Sequence, residues 1–229
     1  MIESFEEKLF PPNLALSPAA VIKRFSRAVK IYGADSILSD RKFQKAREMW
    51  AGSVFLLAWG KMAKRICWLR PEYKDAPDVY GVFFDQHPKY EKADIQKIIN
   101  LEVSDWRGDE AETIIDRIKE KISKNYPPYF WLIIHIVALG KSVNPELIAE
   151  NVLRLNSRMP IFIISSDANK GINNYAVIGL SPYRWRLDFD LGQEVLENKQ
   201  KLEALSVIFK PGHGIEDLSI ISLEFPNLD

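Results

Sequence analysis

Apolar residues recur at helical spacing early in the chain. Val21, Ile22, Phe25, Ala28, Val29 and Tyr32 fall on one face, Ser17 stands at the cap, Pro18 at the first helical position, and Gly33 closes the segment. A second helix is expected from about Asp40 to about Lys64. Its stretch Val54–Trp59 is apolar on every side, which places it in the middle of a fold. After Pro71 the period shortens. Asp78–Asp85 and Ile95–Trp106, rich in Val, Ile, Phe and Tyr, predict two strands of a hairpin, joined by the polar QHPKYEKAD. Asp109 then caps a third helix, with Glu112 in capping-box position and Pro127-Pro128 as its stop. Phe130–Leu139 is a continuous apolar strand, Asn144-Pro145 opens a helix to about Ser157, and Pro160–Ser165 is a second apolar strand. That strand–helix–strand order signals parallel pairing with both sheet faces covered. From Tyr175 the chain alternates YAVIGL, YRWRLDFD, ALSVIF and LSIISLEF with turns and one short helix near Gly192–Leu205. The order predicts an α/β protein, a mixed central sheet flanked by helices, with a β-rich C-terminal extension over about 175–229.

Composition narrows the class. The 229 residues are 47% apolar, enough for a folded chain that buries about 70–75% of its unfolded surface, and no repeat or linker divides 1–229, so a single domain is expected. Cys67 is the only cysteine, which excludes a disulfide scaffold and suits a cytoplasmic location. The acidic start MIESFEEKLFPP lacks the apolar core of a signal peptide. The apolar runs Met49–Gly60 and Tyr129–Gly140 are 12 residues each, short of the ~20 a spanning helix needs. No membrane association is expected. Zero net charge hides an asymmetry: residues 1–70 carry +7 and the remainder −7. Lys23, Arg24, Arg27 and Lys30, then Arg41, Lys42, Lys45 and Arg47, form basic bursts that read first as the solvated faces of two amphipathic helices and second as a footprint for a phosphate backbone.

Several chemistries fail on spacing. Gly140-Lys141-Ser142 lacks the earlier glycine of a phosphate-binding loop, and Pro145 falls where that loop's helix should already run. Neither G-x-G-x-x-G after a strand nor G-x-S-x-G occurs. His87, His135 and His213 with one cysteine give no zinc spacing; His135, inside an apolar strand, reads as a hydrogen-bonded core residue. A carboxylate pair survives. Asp78 begins one predicted strand and Glu102 lies late in the next, so a hairpin would bring them to neighbouring rungs. Two hard oxygen ligands close together suit Mg²⁺, with Ser104 on the same face as Glu102.

Pro77-Asp78, a hairpin, then Glu102-Val103-Ser104 before a helix and an apolar strand resembles the PD-(D/E)xK nuclease superfamily, over about residues 40–165. The resemblance implies a restriction-endonuclease-like core and a divalent-metal-dependent nuclease using Mg²⁺ or Mn²⁺. It makes Asp78 and Glu102 the metal-binding acids, with Glu48 contributing from the preceding helix and the Val103 carbonyl beside them. The family's motif lysine is replaced here by Ser104, which cannot supply positive charge; Arg107 and Lys119 are the conceivable substitutes. The missing lysine leaves open a second reading, the same fold as a non-catalytic binding or assembly module, including a homodimer paired through an exposed strand edge. A third is a small-molecule enzyme using the loop Ser165–Gly171, since loops at strand carboxyl ends are where such sheets bind ligands.

Overall fold

The computed structural model describes residues 4–73, 76–84, 95–108, 113–127, 129–137, 143–166, 171, 173–197 and 204–206. The chain divides into two compact units, Met1–Ile99 with Asn198–Asp229, and Asn100–Glu197. Among the described residues no helix is long and apolar enough to cross a membrane.

The first unit builds helices against an antiparallel meander. Helix α1 (Phe5–Leu9) opens on a capping box, Ser4 with Glu7. Strand β1 (Leu14–Leu16) leads to α2 (Pro18–Tyr32), which begins and ends as its sequence predicts, with Ser17 Oγ accepting from the Ala20 amide and Gly33 at φ 83°. A short helix α3 (Ala34–Ser39) and a 3₁₀ turn at Arg41–Phe43 precede α4 (Gln44–Ala63). Asp40 therefore caps the turn and not the long helix. Thirteen of the 20 residues of α4 are buried, so its all-round apolar composition is used on more than one side. Strand β2 (Ile66–Pro71) pairs antiparallel with β3 (Val79–Phe84) and with β1, and β1 pairs with β9 (Ala204–Ser206). Strand β4 (Ile95–Trp106) is the next neighbour of β3 and continues into the second unit.

The second unit is the α/β part proper. Strand β4 pairs parallel with β5 (Phe130–Ile136), and β5 parallel with β6 (Ile161–Ser166), through helices α5 (Ile114–Ile122) and α6 (Pro145–Arg154). Every residue of β5 is buried, as a strand covered on both faces requires. Strands β7 (Asn174–Ser181) and β8 (Trp185–Asp190) continue the sheet antiparallel, followed by α7 (Leu191–Glu197). The sheet is mixed, as expected. The C-terminal strands do not form one block: β7 and β8 extend the second unit, whereas β9 joins the first.

Three local expectations need correction. Helix α5 is capped by Thr113, whose hydroxyl accepts from the Asp116 amide while the Asp116 carboxylate accepts from the Thr113 amide, so the capping box lies four residues beyond Asp109 and Glu112, which are outside the described residues. The same helix stops at Ile122, well before Pro127. Among the described residues the helix expected near Gly192–Leu205 is α7, which covers Leu191–Glu197, and Leu205 lies in β9. The stretch LSIISLEF (218–225), expected to be a strand, and His87, His213 and Gly140–Ser142 lie outside the described residues.

The β7–β8 turn gives a sharp test of packing. A Cβ built on Gly179 would sit 2.3 Å from the Tyr183 carbonyl oxygen and 2.9 Å from Trp185 Nε1. The neighbour is backbone and cannot step aside cheaply. Gly179→Ala should therefore cost about 1–3 kcal/mol of unfolding free energy, measured by urea denaturation, and an unchanged midpoint would contradict this packing.

Candidate functional site

Side chains alternate along β4, so Asn100, Glu102 and Ser104 share one face, and Leu101, Val103 and Asp105 the other. The parallel register sets Asn100, Glu102 and Ser104 beside Phe130, Leu132 and Ile134 of β5. Those three belong to an apolar core that Ile114 and Ile118 of α5 complete. The polar row is therefore buried: Asn100 is 4%, Glu102 5% and Ser104 7% exposed. A carboxylate in such a place costs several kcal/mol unless paired and hydrogen-bonded. Glu102 has both. Lys121 Nζ and Tyr126 Oη each donate to its Oε1 at 2.8 Å. Lys121 lies one turn beyond Ile118, on the face α5 turns to the sheet, and its long stem lets the ammonium reach the strand. Tyr126 can reach it because α5 ends at Ile122, and its ring stacks on Phe130 at 5.0 Å, 16° from parallel.

Both bonds end on one oxygen. Glu102 Oε2 has no hydrogen bond among the described residues. Among the described residues, the buried Asn100 Oδ1 has no hydrogen-bond partner. Sequence reasoning named Arg107 and Lys119 as substitutes for the missing motif lysine; the ammonium at Glu102 belongs to Lys121. Lys119 lies on the outer side of α5, paired with Asp116 at 3.4 Å. The signal that could have found Lys121 is its i+3 spacing from Ile118 within the buried stripe.

On the opposite face of the sheet, Asp105 and His135 are in register, and His135 Nδ1 lies 3.0 Å from Asp105 Oδ1. His135 is a buried, hydrogen-bonded histidine, as expected.

The remaining predicted acids belong to the first unit. Glu48 on α4 is buried, its Oε1 accepting from Gln44 Nε2 at 2.8 Å and its Oε2 held 2.5 Å from Lys45 Nζ by charge without hydrogen-bond alignment. Lys45 Nζ also donates to the Asp78 carbonyl at 3.0 Å and lies 5.8 Å from the Tyr73 ring centroid. Glu48 and the Asp78 backbone are thus drawn together by one ammonium. Glu6 caps α4 from outside the helix, Oε1 accepting from the Ala46 amide at 3.0 Å. Burial raises its pKa above the ordinary glutamate range, the amide bonds oppose that, and the Glu48 charge adds to it.

The basic bursts are partly consumed by structure. Arg24 donates to the Leu9 carbonyl, Lys42 pairs with Asp40 at 2.9 Å, and Lys45 serves Glu48 and Asp78. Lys23, Arg27 and Arg41 are exposed.

Among the described residues no three His, Cys, Asp or Glu side chains gather where they could share a metal ion. What the second unit offers is one buried carboxylate with an oxygen to spare, an amide oxygen, a hydroxyl and an adjacent ammonium.

Removing one member of the buried pair should be severe. Lys121→Met leaves Glu102 charged without a counter-ion and should cost about 3–5 kcal/mol in urea unfolding, while Glu102→Leu with Lys121→Met should recover most of the loss. A Lys121→Met protein as stable as the parent would show that the pair carries no such weight. Compared with known protein families, curated proteins and solved structures, the chain matches none.

Proposed function

We propose that the chain is a divalent-metal-dependent nuclease, hydrolysing phosphodiester bonds in nucleic acid. The observation that carries the reading is the ammonium of Lys121, 2.8 Å from Glu102. The sequence pattern assigns Glu102 to metal binding but has Ser104 where a lysine belongs; α5 returns a lysine to the same carboxylate. The order α4, β2, β3, β4, α5, β5, with β4 and β5 parallel, agrees with the core expected of a restriction-endonuclease-like protein.

The donor sets differ in how well they fit a cation. Glu102 keeps Oε2 for one, whereas both oxygens of Glu48 are already engaged, so the proposal rests on Glu102 as the metal-holding acid of the second unit, takes Asp78 from the sequence pattern alone, and leaves Glu48 to position Lys45. A bound Mg²⁺ or Mn²⁺ supplies charge neutralisation at the phosphodiester and a more acidic coordinated water. The protein's own contribution is positional. Tyr126 and Lys121 fix the Glu102 carboxylate, and Lys121 holds positive charge beside it, where negative charge builds on a phosphate undergoing attack. Exposed Arg27 and Arg41 offer contacts to the backbone phosphates.

One observation favours the non-catalytic module: Glu48 and Glu102 already have lysine partners. Incubation with single- and double-stranded DNA in Mg²⁺ or Mn²⁺ separates the two. Cleavage is expected, lost in Asp78→Asn with the melting temperature nearly unchanged. Salt-dependent DNA binding without cleavage would leave the binding module, and neither metal binding at millimolar concentration nor cleavage would end the nuclease reading.

A further inference from the structure

We infer that the end of the second unit where β5 and β6 begin is a contact surface for single-stranded nucleic acid. Tyr129 and Tyr183 stack on its bases, and Arg158 and Arg184 hold its phosphates. The inference deepens the nuclease reading and rests on its action on nucleic acid, but it needs no metal ion. The topology gathers three connections at this end. The chain enters β5 from α5 and β6 from α6, and the turn between β7 and β8 lies at the same end because Ser181 pairs with Ile161, the first residue of β6. Strands β5, β6, β7 and β8 are successive neighbours, ~4.8 Å apart, so the three connections follow one another across the sheet. With their flanking residues they read SKNYPPY (123–129), RLNSRMP (154–160) and SPYRW (181–185), four cations and no Asp or Glu. Asn100–Glu197 as a whole is acidic, 11 Lys or Arg against 14 Asp or Glu, so an acid-free end departs from the unit's own background.

Structure accounts for some of these charges and not for others. Lys124 and Arg154 stand at helix ends, where cations complement the helix dipole, and Lys124 pairs with Glu120 at 3.8 Å. Arg158 and Arg184 lie outside any helix. Both are exposed, and their guanidinium groups have no hydrogen-bond or ion-pair partner among the described residues, whereas Arg117 and Arg186 of the same unit are paired with Glu120 and Asp188. The aromatic side is equally uncommitted. Tyr183 is 62% and Tyr129 46% exposed; Tyr129 leans on Phe130 at 5.7 Å, and Tyr183 has no ring partner among the described residues. Planar rings in water next to available guanidinium groups suit a single strand. Unpaired bases stack on tyrosine whatever their sequence, and arginine grips phosphate through its planar fork. A duplex keeps its bases stacked on one another and offers them to no tyrosine. The surface also adjoins the buried carboxylate: Tyr126, three residues before Tyr129, donates to Glu102, so the connection that presents one tyrosine to solvent anchors Glu102 with another.

Fluorescence anisotropy of a labelled DNA oligonucleotide of about 20 nucleotides, with the full-length protein in EDTA, tests this. The parent should bind the single strand about tenfold or more tightly than the duplex of the same sequence. Tyr183→Ala should weaken single-strand binding about fivefold or more, and Tyr183→Phe, which keeps the ring, should bind as the parent does. Arg158→Gln with Arg184→Gln should lower the slope of log affinity against log salt by about 1.4, the loss of two single-strand phosphate contacts. All these positions are exposed, so the variants should melt with the parent. Unchanged single-strand affinity in both Tyr183→Ala and the double arginine variant would overturn the inference; if those proteins still cut DNA in Mg²⁺, the nuclease reading outlives it. Single-strand binding that falls in the variants, in a protein that cuts no DNA in Mg²⁺ or Mn²⁺, would uphold the surface and end the nuclease reading. Binding to phosphatidylserine vesicles and to neither form of DNA would overturn the inference in favour of an anionic lipid surface.

Discussion

Glu102 is a buried carboxylate packed against an apolar core, and much of the second unit is arranged to make that tolerable. Taking a carboxylate out of water costs several kcal/mol before any partner is counted. The return comes from two side chains that α5 controls, one on the helix and one just past its end. Lys121 must project toward the strand, which sets the rotation of α5, and Tyr126 must leave the helix, which sets its length. The apolar contacts of Ile114 and Ile118 with β5 would allow α5 some sliding; a bidirectional demand from one buried charge does not. An apolar side chain at position 102 would be the simpler way to stability, since buried ion pairs are seldom better than hydrophobic isosteres. Its retention in so dry a setting is therefore the feature that needs a functional account, and a metal-holding carboxylate is one.

A related economy operates in the first unit. Lys45 joins the buried Glu48 to the Asp78 carbonyl, so a helix and the entry to a strand share one charge. Glu6, on a five-residue helix with little core of its own, secures its place by capping α4, where Phe43 provides no side-chain cap. In both units lysine compensates a buried acid. The two differ in what is left over: Glu48 has no oxygen to spare, whereas Glu102 does.

Much of this was legible because the relevant signals are local. Ser17, Pro18 and Gly33 bound α2 by backbone chemistry alone, and the runs around β4, β5 and β6 have a composition few helices share. Strand β2 leaves no clear sequence signal, because Ile66–Pro71 follows an apolar helix with only Lys64, in a left-handed conformation, to mark the break. Helix α1 is too short for periodicity to register, although Ser4 and Glu7 carry its capping box. The sequence leaves the start of α5 ambiguous because two S/T/D-x-x-D/E patterns lie four residues apart, and only packing decides between them. The same ambiguity hid the lysine. Residues 119 and 121 are about 200° apart around a helix, so naming the one that meets Glu102 requires the rotation that Ile114 and Ile118 impose. Asn100 carried no sequence signal, because an unpaired oxygen exists only once the strand is buried.

The central claim is that Glu102 keeps one oxygen available to a hard cation while Lys121 and Tyr126 hold the other. Carbon-13 NMR of the glutamate side-chain carboxyls during a Mn²⁺ titration reads this at the atom concerned. The account predicts that the Glu102 carboxyl signal broadens at substoichiometric Mn²⁺, ahead of the exposed glutamates. A Glu102 signal untouched at millimolar Mn²⁺, while exposed carboxyls broaden, would contradict it.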